Sequence, residues 1–128
     1  MERTNTLDPR IIHICREKLI HEKESILDRI LQLRSEFKSR DTKGDEADLS
    51  ANLLFEHQLL STQDKLSRHL MEIENALARI ERGDFGFCEI TQEPIESQRL
   101  LALPWTRLSI EGAEYQDTLS KKFFSLSI

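Results

Sequence analysis

Little in this chain forces it to bend. Four glycines and three prolines are spread over 128 residues, so long uninterrupted helices are allowed. Its two cysteines, Cys15 and Cys88, lie far apart and lay out no disulfide framework. No apolar run reaches the roughly 18 residues of a membrane span, and the opening MERTNTLDPR is too polar for a signal peptide. The cytoplasm is therefore the expected compartment, with no membrane partner. Basic residues are also short: 18 Lys and Arg stand against 23 Asp and Glu, for a net charge of −5. That balance makes the chain a poor candidate for gripping duplex DNA by itself, because phosphate binding needs clustered cations. No Gly-rich phosphate loop, nucleophile elbow or H-E-x-x-H is present, so nothing supports an enzyme. The histidines, His13, His21, His57 and His69, fall at no helical metal-ligand spacing and are expected on the surface or at a seam edge.

What is present is charge and helical periodicity. A charged fraction of 32% with 38% hydrophobic residues suits an elongated helical protein, whose narrow seam needs fewer apolar residues than a round core. Helix one is expected from about Asp8 to Arg40, with Asp8 as cap and Pro9 at the first helical position. Its seam, Ile12, Cys15, Leu19, Glu22, Ile26, Ile30, Leu33 and Phe37, steps by three and four, and only Glu22 breaks it. The acidic stretch 41–50, DTKGDEADLS, interrupts the pattern. Helix two is expected from about Leu49 to Arg82, with Phe55, Leu59, Leu66, Leu70, Ile73, Leu77 and Ile80 on its seam. Gly83 supplies the stop. Two such helices joined by a polar turn fold back on each other, each arm roughly 45 Å long.

From Gly83 the composition changes. Aromatics and two prolines crowd into a short span that holds the single tryptophan, Trp105. Turns and short strands are expected there, followed by a helix from Ala113 to about Lys122 and an apolar end, FFSLSI. The expected fold is mainly α: residues 1–82 form a long antiparallel coiled-coil hairpin with an acidic tip at 41–50. Residues 83–128 form a small zinc-ribbon-like globular head with a short C-terminal helix.

Three segments at matching spacing carry a resemblance. The turn reads Asp45-Glu46-Ala47-Asp48-Leu49-Ser50. Forty residues on, Asp84-Phe85-Gly86-Phe87-Cys88-Glu89 resembles a DFGYCE segment, and Arg99-Leu100-x-Ala102-x-Pro104 resembles R-L-x-A-x-P. Together they resemble the DksA/TraR family of bacterial RNA polymerase-binding regulators, in detail over about residues 40–112. The resemblance implies a hairpin tip of pattern D-x-x-D-x-A and a four-cysteine zinc ribbon. Its four ligand positions fall here on Cys88, Thr91, Ser109 and Gly112. With one thiol left among them, zinc binding is expected to be lost and no cofactor retained. Phe85, Phe87, Ile90, Ile95, Leu100, Leu103, Trp105, Leu108 and Ile110 are then expected to form the core of the head. Cys88 is expected to be a small buried hydrophobe, with Glu89 raising its thiol pKa.

The resemblance further implies a protein that enters the secondary channel of RNA polymerase. Asp45 and Asp48, with Ser50 shaping the turn, would act near the active site on initiation. Lys65 would hold the polymerase rim. Family positions for the alarmone ppGpp fall on Glu72, Leu103 and Ala113, none basic, so that response is expected to be weakened or absent. A self-paired hairpin implies a monomer. On the residues alone, Asp45, Asp48 and Ser50 read first as groups satisfying a helix start. Two other functions stay open: an interaction protein using the head and the apolar tail for a non-polymerase partner, and a transcript-cleavage factor whose acidic tip holds a catalytic Mg²⁺.

Overall fold

The computed structural model describes residues 7–39 and 46–126, with side chains from residue 49 onward in the second stretch. Among these are four helices: α1 (Pro9–Ser39), α2 (Glu46–Arg82), α3 (Ser97–Ala102) and α4 (Ile110–Leu126). The mainly α fold, a hairpin with a globular head, is the one expected. At roughly 1.5 Å per residue, α1 is about 46 Å long and α2 about 55 Å.

The start of α1 follows from its sequence. The Asp8 carboxylate accepts the Arg10 backbone N–H at 2.9 Å, and Pro9 occupies the first helical position, where no N–H is needed. That bond and the Arg10 guanidinium hold the Asp8 carboxyl below its usual pKa. Cys15, Leu19, Ile26, Ile30 and Leu33 of α1 are buried. On α2, Leu59, Ile73 and Ala76 are buried, while Leu66, Leu70, Leu77 and Ile80 are partly so. The break at Glu22 has a partner across the seam: its carboxylate lies 3.5 Å from His69 Nε2. Phe37 departs from expectation, since it is 40% exposed at the distal end of the seam.

Helix α2 begins at Glu46, three residues before the expected start. Glu46, Ala47 and Leu49 are good helix formers, and no Gly or Pro follows until Gly83. Its end is a Schellman turn: Gly83 N–H donates to Ile80 O, Asp84 N–H donates to Arg79 O, and Gly83 has φ +82°.

The head holds less regular strand than its sequence suggests. Residues 86–95 form a tight hairpin with Ile95 N–H donating to Gly86 O at 2.7 Å and Cys88 N–H donating to Glu93 O at 2.8 Å. Among the described residues its pairing is a single isolated bridge between Phe87 and Pro94. Pro94 has no N–H, so it cannot extend the ladder. The C-terminal helix is longer than expected at both ends. Ser109 caps it through Gly112 N–H at 3.0 Å, and Glu96 accepts the Ile110 N–H with both oxygens, at 3.0 and 3.2 Å. One apolar cluster runs across Gly83, joining Cys15, Leu19, Ile26 and Ile30 of α1, Ile73 and Ala76 of α2, and Phe85, Cys88, Ile95 and Leu100 of the head. Of the expected head core, Ile90, Leu103 and Ile110 are instead exposed.

Candidate functional site

The tip comes first in the sequence reading and is the part least described. Asp45 lies outside the described residues. Asp48 sits in the first turn of α2, and Ser50 is exposed one turn in. Ser50 is therefore inside the helix and does not cap it. Lys65 is exposed on α2, about 22 Å further along the helix axis from Ser50.

The four ribbon positions converge. Cys88 is fully buried, and the Thr91 N–H points at its sulfur at 3.5 Å. Ser109 and Thr91 also hydrogen-bond the thiol through their side chains. Gly112 closes the group: a Cβ built there would fall closer than 3.0 Å to Cys88 Sγ, where real Cβ atoms essentially never sit. Ser109 Oγ accepts the Gly112 N–H, so one hydroxyl both caps α4 and serves the sulfur. Burial pushes the Cys88 thiol up, but the hydrogen bonds from Ser109 and Thr91 outweigh it and bring the pKa down to about 6. The expectation that Glu89 raises this thiol is corrected: the Glu89 carboxylate faces Arg107 at 3.6 Å. Cys88 is buried as expected, yet its environment favours the thiolate.

A second set of polar contacts fixes the head on the hairpin base. Cys15 Sγ donates to Leu100 O at 3.5 Å, and Lys18 Nζ donates to Leu101 O at 2.7 Å. Burial raises the Cys15 thiol above its ordinary pKa, the reverse of Cys88. The buried Arg79 guanidinium reaches Trp105 O at 3.3 Å and Thr106 O at 3.5 Å. His69 meets the edge of Trp105, ring centroids 4.4 Å apart, while its Nδ1 lies 3.7 Å from Glu72. Sequence reasoning missed Lys18 and Arg79 in this role. In the sequence each is one more charged residue on a helix, and only the position of the head turns them into anchors. Glu72 and Leu103 also line one small cleft of about 180 Å³ with Trp105, Thr106, Arg107 and Leu108, and Ala113 is not part of it.

Comparison with known proteins adds four findings. Residues 83–116 match the model of the prokaryotic dksA/traR C4-type zinc finger. The chain is 34% identical over 113 residues to an uncharacterized protein of Aquifex aeolicus, covering 84% of this chain and 77% of that one. It is 31% identical over 112 residues to the RNA polymerase-binding transcription factor DksA of Caulobacter vibrioides, with the same coverage. The fold matches the structure of transcription factor DksA2 from Pseudomonas aeruginosa with a TM-score of 0.83, at 29% identity and 94% coverage of both chains. The zinc-finger match overturns the expectation that zinc binding is lost, since it assigns residues 83–116 to a segment that points to zinc. The donors at the four positions are one thiol, two hydroxyls and a glycine, which is not the sulfur and imidazole set of structural zinc. Among the described residues no group of three or more His, Cys, Asp or Glu is placed to hold a metal ion. Nor is any described helix long and apolar enough to cross a membrane.

Proposed function

Because this chain belongs to the DksA/TraR family, we propose that it is a transcription factor that binds bacterial RNA polymerase and does no chemistry of its own. The observation that carries this reading is the shape of the hairpin. The head contacts α1 around Cys15 and Lys18 and α2 around Arg79, all near the hairpin base. The distal halves of both helices extend beyond those contacts. A pair of helices that narrow enters a pore closed to a globular domain, and the secondary channel of the polymerase is such a pore.

In this reading the hairpin lies in the channel and Asp45 and Asp48 act near the active site, with Ser50 on the adjacent turn and Lys65 holding the rim. Acidic side chains there bias initiation by hydrogen bonding to mobile elements or by acting near bound Mg²⁺. The factor works in the cytoplasm, as a monomer. Residues 1–82 are the working arm and 83–128 the handle. Its ppGpp-dependent mode is weakened or absent, because Glu72 brings a carboxylate where an anionic alarmone needs a cation.

The test is binding of the purified protein to bacterial core RNA polymerase, with and without an excess of a Gre-type secondary-channel factor. Displaceable binding is expected. An Asp45→Asn/Asp48→Asn variant is expected to keep that binding and lose the effect on initiation. Absence of binding by the folded protein defeats the proposal, and an unchanged initiation effect in the variant defeats the tip mechanism. An added cleavage assay on backtracked complexes separates this reading from a transcript-cleavage factor. One observation favours a non-polymerase partner: Tyr115, Leu119, Phe123, Phe124 and Leu126 of α4 are all exposed. Failure of the polymerase to bind would move the search to that helix.

A further inference from the structure

The distal hairpin carries a groove that its own fold does not use. It lies between α1 and α2, a cavity of about 210 Å³ lined by Leu33, Arg34, Phe37, Lys38, Leu59, Leu60 and Gln63. Its floor is apolar: Leu33 and Leu59 are buried seam residues. Its walls are Phe37, 40% exposed, and Leu60, 57% exposed. Leu60 sits one residue past the seam position Leu59, so it contributes little to pairing of the two helices. Arg34 and Lys38 stand one turn apart on the α1 side. Neither forms an ion pair among the described residues.

Size and charge together select the occupant. The volume falls below the roughly 300 Å³ at which small-molecule sites begin, so a nucleotide effector is too large. A single large apolar side chain is the better match. Among the described residues none that is acidic lines the groove, and the two charged ones are both cations. The chain as a whole is acidic, at −5, whereas the described charged residues lining this groove are basic. Partner surfaces complement such a rim with carboxylates, which set orientation and encounter rate while the buried side chain anchors the contact.

We propose that this groove docks a leucine- or phenylalanine-sized side chain presented by an acidic segment of RNA polymerase. The inference rests on the reading of the polymerase as partner and adds a contact distinct from the acidic tip. Leu59 lies 13 residues into α2, so the groove sits about 20 Å behind the start of that helix. Docking there would fix how far the tip reaches.

The test uses the full chain and core RNA polymerase. Leu60→Asp and Arg34→Glu/Lys38→Glu alter exposed side chains, and circular dichroism and thermal melting check that both variants stay folded. Each is expected to bind polymerase at least tenfold more weakly than the wild type. Arg29→Glu, on the other side of α1, is the charge control and is expected to stay within twofold. A photo-crosslinking residue at position 60 is expected to label a polymerase segment rich in Asp and Glu. Binding of both groove variants within twofold of the wild type overturns the inference while leaving the polymerase reading intact. So does an equal loss in the Arg29 control, or a crosslink to a basic segment or to a second copy of this chain. A wild-type protein that does not bind polymerase overturns both.

Discussion

Replacing Gly112 by Ala sets two effects of opposite sign against each other. Gly112 lies in the first turn of α4, so helix propensity alone favours Ala by up to about 1 kcal/mol. The added Cβ would fall inside contact distance of the Cys88 sulfur, and 3.4 Å from Ser109 Oγ. Cys88 is 0% exposed and Ser109 5%, so neither has room to withdraw. Overpacking a closed site costs roughly 1–3 kcal/mol. The packing cost outweighs the propensity gain, and Gly112→Ala should destabilise the protein by about 1–2 kcal/mol in urea denaturation. Cys88→Ala removes the sulfur and with it the conflict. In that background Gly112→Ala should become neutral or stabilising, giving a coupling of about 2 kcal/mol between the two sites. A higher urea midpoint for Gly112→Ala in the otherwise wild-type protein would refute the reasoning, because helix propensity would then have decided the outcome.

Two further predictions come from the same region. The folded Cys88 pKa is depressed from the ordinary 9.0 to about 6, so the stability it confers is complete above about pH 9 and is lost as pH falls through 6. Between those limits unfolding free energy should rise with pH, at a slope approaching roughly 1.4 kcal/mol per unit. Cys88→Ser should flatten that slope, and matching urea midpoints for the two proteins from pH 6 to 9 would count against the assigned hydrogen bonds. Arg79→Met leaves two carbonyls, those of Trp105 and Thr106, without their donor. It should cost about 1–3 kcal/mol and shift Trp105 emission toward that of an exposed indole, whereas an unchanged spectrum and melt would remove Arg79 from its role as anchor.

The hairpin was legible because its cause is local. Steps of three and four from Cys15 to Leu33, broken only by Glu22, place apolar residues on one helix face whatever lies elsewhere, and the polar run with Gly44 interrupts that face. The Asp8-Pro9 start and the Gly83 stop were equally readable, since each satisfies backbone groups of its own helix. The matching segments single out Cys88, Thr91, Ser109 and Gly112 as the family's ligand positions, but the chemistry around the sulfur was not legible in them. From the sequence Cys88 has Glu89 beside it, yet the carboxylate turns to Arg107 and the sulfur faces two hydroxyls, one of them 21 residues away. The early start of α2, the single bridge in place of strands, and the anchoring roles of Lys18 and Arg79 were likewise hidden.

The sequence by itself determined where helices form, because periodicity and caps act over a few residues. Only the tertiary structure decided which polar groups are buried together, how the distal groove is walled, and what surrounds the one remaining thiol of the head. Those depend on distance in space between residues far apart in the chain, and a hydrogen bond or a steric clash is decided within an ångström.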